Sequence, residues 1–185
     1  MRAFGAQWAA ARDGHAMPSR AAFRAEDWGR WWSGMLLYRI EADGVFRMTY
    51  QGDEVENTDG GPKIGRRLEE IAPPALVART LETYGRVAKE GLPIYSIRIG
   101  AWRKTRHIAF ERLLLPLGPP DGPADHVMGL LLDHGLDDNI KRSDLFAQSP
   151  TLDSQSFVLR QIDPDSFAGC DLESVGKGIG LPIPG

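Results

Sequence analysis

The residue types that most often carry chemistry are few in this chain, and their spacing does not suit it. His15, His107, His126 and His134 form no HxxxH or HExxH pattern and have no cysteine partner, whereas a metal site needs several donors converging on one point. His107 and His126 fall on segments that could be neighbouring strands, where a histidine is ordinarily a surface or satisfied core group. Cys170 is the only cysteine, so an intrachain disulfide, a CxxC redox or zinc pair and a CxxCH haem attachment are all excluded. It sits in a glycine-rich stretch that supplies no packed catalytic base. No GxSxG elbow or kinase signature is present. The paired carboxylates Glu69-Glu70 and Asp137-Asp138 are adjacent and therefore do not share a helix face, which suits solvated charge better than acid–base work. Gly169 to Lys177 superficially resembles a phosphate loop. Six residues, where four are needed, separate Gly169 from Gly176, and Gly178 stands where a Ser or Thr would bind magnesium.

What remains is aromatic and apolar. Tyr50, Tyr84, Ile97, Ile99 and Phe110 would point between a sheet and a long helix on the alternation described below. Such an enclosure with a few polar tips is how small-molecule pockets are built, and it is equally how an ordinary core is built. Trp28, Trp31 and Trp32 are spaced i, i+3, i+4 and would form one aromatic stripe on a helix, either core or an interface anchor. Four of the five tryptophans, Trp8 among them, lie in the first 32 residues; Trp102 is the fifth.

These side chains need elements to position them. The chain has 185 residues, a formal net charge of −3 with 22 basic and 25 acidic side chains, 21 glycines and 13 prolines. One domain with flanking segments is expected. The balance of charge gives no footprint for a nucleic-acid backbone or an anionic membrane, and no long apolar run or leader pattern is present, so a reduced, cytoplasmic setting is expected. Residues 1–34 read as helix, break, helix, with Ser19 as a cap for the second segment. Leu36, Tyr38 and Ile40 alternate, Asp43-Gly44 provides a turn, and Phe46, Met48 and Tyr50 alternate in return, which predicts an antiparallel hairpin. Short helical turns are expected over 52–72. A helix opened by Pro73-Pro74 carries Leu76, Val77, Leu81, Tyr84, Val87 and Ala88 at helical spacing and ends at Gly91. Strands follow over 92–102, 107–117 and 125–133.

Leu113-Leu114-Leu115 and the run from Val127 to Leu132 are apolar on both faces, which a sheet with one wet face would not be. A second cover is therefore expected: the Trp-rich N-terminal segment, a second protomer, or both. Residues 137–148 are a helical candidate, and the rest to Gly185 reads as an irregular or partly disordered tail. The division expected is a helical extension over 1–34, a domain over 35–135, and a C-terminal helix with a flexible tail over 136–185.

The order of elements resembles a PAS domain. Trp8, Met17-Pro18-Ser19-Arg20, Gly61-Pro62-Lys63-Ile64-Gly65-Arg66 before the proline-opened helix, Gly91-Leu92-Pro93 and Leu114-Leu115-Pro116-Leu117 are together similar to a stand-alone PAS-like family common in alphaproteobacteria. The resemblance covers about residues 8–135. It implies an α+β fold, a five-stranded antiparallel sheet with helices on one face, and a sensory or regulatory module in signal transduction. It also implies a small-molecule ligand, frequent homodimerisation through an N-terminal helix or a regulatory partner protein, and no catalytic residues. No metal or cofactor is expected; the short-helix region from Asp53 to Ile71 has no cysteine, which rules out a covalent flavin switch. Two other readings stay open. One is an α+β isomerase or hydrolase using Tyr50 or Tyr84 with Asp53 or His107; the other is a PAS interaction domain with a filled core.

Overall fold

The computed structural model describes residues 1–23, 25–102, 106–120, 122–134, 156–164 and 167, with backbone alone at 25–26, 98–102, 106–108 and 156–160. The helical candidate over 137–148 lies outside the described residues. Six antiparallel strands form one sheet in the order β2-β1-β5-β4-β3-β6: β1 Met35–Ile40, β2 Phe46–Gln51, β3 Ile94–Trp102, β4 Arg106–Leu117, β5 His126–His134 and β6 Ser156–Gln161. The five strands expected are present. The sixth comes from the segment expected to be irregular, pairing Ile94 with Gln161 and Ile99 with Ser156 along the free edge of β3.

The β1–β2 hairpin closes with a Glu41 carbonyl to Gly44 N–H bond and a Glu41 N–H to Val45 carbonyl bond, both 2.8 Å. Gly44 has φ 81°, a left-handed conformation in which a Cβ is unfavourable. Three residue pairs further into the sheet the hairpin departs from plain alternation. Leu37 pairs with Tyr50 and Tyr38 with Met48, leaving Thr49 as a bulge. Because a side chain changes face with every residue, this extra residue sends Tyr50 to the face opposite Phe46 and Met48, and the expected inward set Phe46/Met48/Tyr50 is broken.

On one face lie α3 (Asp53–Asp59), α4 (Leu68–Ile71) and the long helix α5 (Val77–Glu90). Gly91 caps α5 in the left-handed conformation at φ 65°, its N–H bonded to the Val87 carbonyl. Tyr84 and Val87 of α5 pack onto Leu36, Tyr38, Ile94, Leu114 and Val127 of the sheet. The opposite face is covered by the chain's own N-terminal segment: Phe4 and Trp8 of α1 (Arg2–Ala11), Met17 and Trp28 are buried with Tyr95, Leu113, Leu115, Met128 and Leu130. The second cover demanded by the doubly apolar strands is therefore supplied within the chain. Trp8 is its centre: it is fully buried, and its Nε1–H donates to the Pro116 carbonyl at 2.9 Å.

The second N-terminal helix is broken into short pieces where one helix was expected. Arg20–Ala22 is a single 3₁₀ turn without a side-chain bond from Ser19, and α2 (Ala25–Trp28) passes at Gly29 into a 3₁₀ segment, Gly29–Gly34. In a 3₁₀ turn residues three apart eclipse while the fourth is rotated away. The three tryptophans accordingly do not make one stripe. Trp28 is buried beside Phe4 and Phe23, Trp31 is half-buried with its edge on Phe4, and Trp32 is 38% exposed against Tyr50.

Candidate functional site

Between α5, the 59–76 connection and the sheet is a cleft of about 460 Å³. Its apolar wall is Leu36, Met48, Leu68, Ile71, Leu131 and the ring of Phe110, with Tyr38 and Tyr84 forming an aromatic corner. The two tyrosine rings meet edge to face at 5.2 Å between centroids, and Phe46 adds a second edge contact on Tyr84 at 5.7 Å. These positions follow from the register. Ser96 faces Arg112 and Ile94 faces Leu114 across β3–β4, while Arg112 faces Leu131 across β4–β5, so these side chains share the helix-bearing side.

Seven charged side chains, four acids and three bases, border the cleft beside this wall. Thr83 is buried and turns its hydroxyl to the Arg79 carbonyl at 2.8 Å; Ser96 is also buried. Burial pushes the Tyr38 phenol well above its ordinary range, and the neighbouring Tyr84 and Asp59 add to this while Arg112 opposes it. Tyr38 is therefore a neutral hydroxyl in the cleft, able to donate or accept. Arg112 lies with its Cζ 5.5 Å from the centre of the Tyr84 ring. Its Nε is buried without a hydrogen-bond partner.

Glu111 borders the same cleft, but its carboxylate is committed elsewhere. Oε1 accepts from the Tyr95 hydroxyl at 3.0 Å, and Oε2 lies 2.9 Å from His134 Nε2. Burial raises the Glu111 carboxyl, yet the bonds from His134 and Tyr95 outweigh it and leave it below the ordinary value; the same contact lifts His134.

The expected pocket residues divide between the two faces. Tyr84 and Phe110 line the cleft. Ile97 is buried with Tyr95 and Leu113 under the N-terminal layer. Tyr50, displaced by the bulge at Thr49, lines a separate hollow of about 180 Å³ with Trp28, Trp32, Met35, Leu37 and Met128. Its hydroxyl donates to the Trp32 carbonyl at 3.1 Å, and burial with the nearby Asp53 raises its pKa. Ile99 is placed by its backbone opposite Ala109, and its side chain lies outside the described residues. Tyr50 and Asp53 are thus apart from Tyr84, and the His107 side chain also lies outside the described residues. Arg112 lines the cleft as well, and the sequence carries a signal for it: it is the one base in the run Phe110-Glu111-Arg112-Leu113-Leu114-Leu115, two residues from Phe110 and so on the same face of its strand.

A model of the PAS domain family matches residues 1–132. This chain belongs to the PAS domain family. Since the match begins at residue 1, the N-terminal layer is part of the family match. Among solved structures, this PAS domain is similar to the PAS domain of Bordetella pertussis BvgS, at 22% identity and a TM-score of 0.42, over 66% of this chain and 88% of that one. No curated protein matches it. Membership of the family makes a signalling or sensory module the general reading. Among the described residues, no helix is long and apolar enough to cross a membrane, and no three His, Cys, Asp or Glu side chains are grouped to hold a metal.

Proposed function

We propose that this PAS domain is a sensory module that binds a small molecule in the cleft between α5 and the sheet and passes the change to its N-terminal layer. The observation that carries the reading is the cleft itself. Its volume of about 460 Å³ lies within the roughly 300–1,000 Å³ typical of ligand sites, and it joins an apolar wall to a polar and charged border. Strand β4 provides the route outward. Phe110 and Arg112 face the cleft, while Leu113 and Leu115 pack under Phe4 and Trp8. The rigid pleat couples the two faces, so a ligand that moves β4 by contact on one side moves the packing of α1 on the other.

Thermal shift across a broad metabolite panel tests the reading, with Thr80→Trp as the control that fills the cleft from α5. A ligand at 100 times its Kd stabilises by about 2.7 kcal/mol, a shift of roughly 5–10 °C for a domain of this size. Such a shift in the wild type and its loss in Thr80→Trp is the expected result. An unshifted panel, or equal shifts in both proteins, would exclude the cleft as the site.

A further inference from the structure

We infer that the ligand is an uncharged molecule with an apolar body and a hydroxyl or carbonyl group, held by the Tyr38 hydroxyl. This rests on the cleft being a ligand site, as proposed above, and adds the chemical class. Tyr38 is 2% exposed and lines the cleft, and among the described residues its hydroxyl has no hydrogen-bond partner. Arg112 Nε is the one described side-chain atom that is both unpartnered and sealed from solvent, so the Tyr38 hydroxyl keeps open surface toward the cleft. Ser96, 4% exposed, brings a second hydroxyl of the same kind to the lining. A hydroxyl buried this far without a bond is costly, and a bound donor or acceptor relieves it. Burial, with Tyr84 and Asp59 nearby, holds the Tyr38 phenol neutral. It can therefore donate to a carbonyl, or take either role with a hydroxyl.

The charges on the border are engaged within the protein. Glu111 accepts from Tyr95 and lies against His134, and Glu70 accepts from the Arg67 N–H at 3.2 Å and pairs with Arg66 at 3.7 Å. Asp59, Arg79 and Asp133 each have an interaction of their own. Arg112 has its Nε sealed and its Cζ 5.5 Å from the centre of the Tyr84 ring. With four acids against the three bases Lys63, Arg79 and Arg112, the lining has no positive surplus to draw an anion. Its acids, already held, offer little to a cation. An ionised ligand would leave water for the wall of Leu36, Met48, Leu68, Ile71 and Leu131 and would have to compete with these contacts for a partner. An uncharged ligand lays its body on that wall and its polar group at the Tyr38–Tyr84 corner, with every existing charge contact kept.

The test uses probes that share one body and differ in charge and polar group: 3-phenylpropan-1-ol, 3-phenylpropionate, 3-phenylpropylammonium and propylbenzene. Binding is read by calorimetry and by the Tyr38 ¹³Cζ resonance of tyrosine-labelled protein. For the wild type we expect the alcohol to bind at least about 10-fold more tightly than either ion, since each ion loses its hydration in the cleft. The Tyr38 resonance should move further with the alcohol than with propylbenzene. Tyr38→Phe should weaken the alcohol about 3- to 10-fold and leave propylbenzene within about twofold. If that variant does not fold, the charge series and the Tyr38 resonance of the wild type decide alone. Either ion binding as tightly as the alcohol overturns the uncharged assignment and leaves the cleft as a ligand site. Equal effects of Tyr38→Phe on alcohol and propylbenzene, or equal displacement of the Tyr38 resonance by both, overturn Tyr38 as the anchor and the proposal with it. No response to any probe also overturns it, and the metabolite panel then judges the binding reading separately.

Discussion

Trp8→Ala is the sharpest probe of the claim that the N-terminal segment is structural cover for the sheet. Trp8 is completely buried against β4, its Nε1–H bonds the Pro116 carbonyl at 2.9 Å, and Phe167 sits edge-on to it at 6.1 Å between centroids. A tryptophan buries about 150–250 Å², which at about 25 cal/mol per Å² corresponds to about 4–6 kcal/mol. Measured truncations of buried tryptophan and phenylalanine fall at about 3–5 kcal/mol because the site partly collapses. The orphaned Pro116 carbonyl adds about 1 kcal/mol or more. The expected loss is therefore about 4–6 kcal/mol, much of the roughly 5–15 kcal/mol that holds a domain together. In urea, with a slope of about 2 kcal/mol/M, the midpoint should fall by about 2–3 M, read by far-ultraviolet circular dichroism so that losing a fluorophore does not confuse the signal. Trp8→Phe keeps the ring but not the donor and should lose about 1–2 kcal/mol more than a volume-matched apolar change. Trp32→Ala, at a 38% exposed position with an edge contact on Tyr50, should cost only about 1 kcal/mol. A Trp8→Ala protein within about 1 kcal/mol of wild type, or one no less stable than Trp32→Ala, would refute the assignment of α1 as the second layer.

Phe167→Ala should cost about 3–4 kcal/mol by urea unfolding, because Phe167 is buried against Trp8 and beside Gly5, and its effect should be non-additive with Trp8→Ala in a double-mutant cycle. Gly129→Ala places a Cβ 2.7 Å from Leu36 Cδ1 and 3.0 Å from Leu114 Cδ2 in the middle of β5, and thermal melts should show a loss of about 1–3 kcal/mol. For the Glu111–His134 pair the pH dependence has two sides. The raised His134 contributes stability that is full below its ordinary value of 6.5 and lost as pH rises through its folded value; the lowered Glu111 contributes above its ordinary 4.5 and loses it as pH falls through its own. The pair is thus strongest between about pH 4.5 and 6.5. His134→Gln should flatten the stability profile there by less than about 1 kcal/mol, since His134 is 46% exposed; an unchanged profile would show the contact to be energetically silent.

Strong local signals made the hairpin, α5 and the last three expected strands legible: a turn-forming Asp43-Gly44, proline at one end and glycine at the other end of an amphipathic run, and unbroken period-two stretches. Side was harder to read than element. In β3, Ile94 and Ser96 face α5 while Tyr95 and Ile97 face α1. Both sets include apolar groups because both faces are covered, so alternation establishes two faces without saying which layer each meets. The same ambiguity misplaced Ile97, and the bulge at Thr49, a non-local compromise between β1 and β2 with no residue signature of its own, misplaced Tyr50. β6 was hidden for a different reason. It lies in a tail whose glycines and prolines fall mostly beyond residue 168, and a six-residue strand needs only the open edge of β3 to pair with, an edge being a property of the sheet.

Arg112 shows how these two kinds of information combine. A base inside a leucine-rich strand is locally unfavourable, and sequence alone offers two resolutions: it could reach water, or it could reach a partner. The register decides where it goes. By pairing with Ser96 and Leu131 it is placed on the helix-bearing face, its Cζ 5.5 Å from the centre of the Tyr84 ring and its Nε buried without a hydrogen-bond partner. A conflict between local preference and global fold that persists in a folded domain tends to mark a functional position. The same strand carries Leu113 and Leu115 into the Trp8 layer, so β4, like β1, β3 and β5, touches both the cleft and the N-terminal cover.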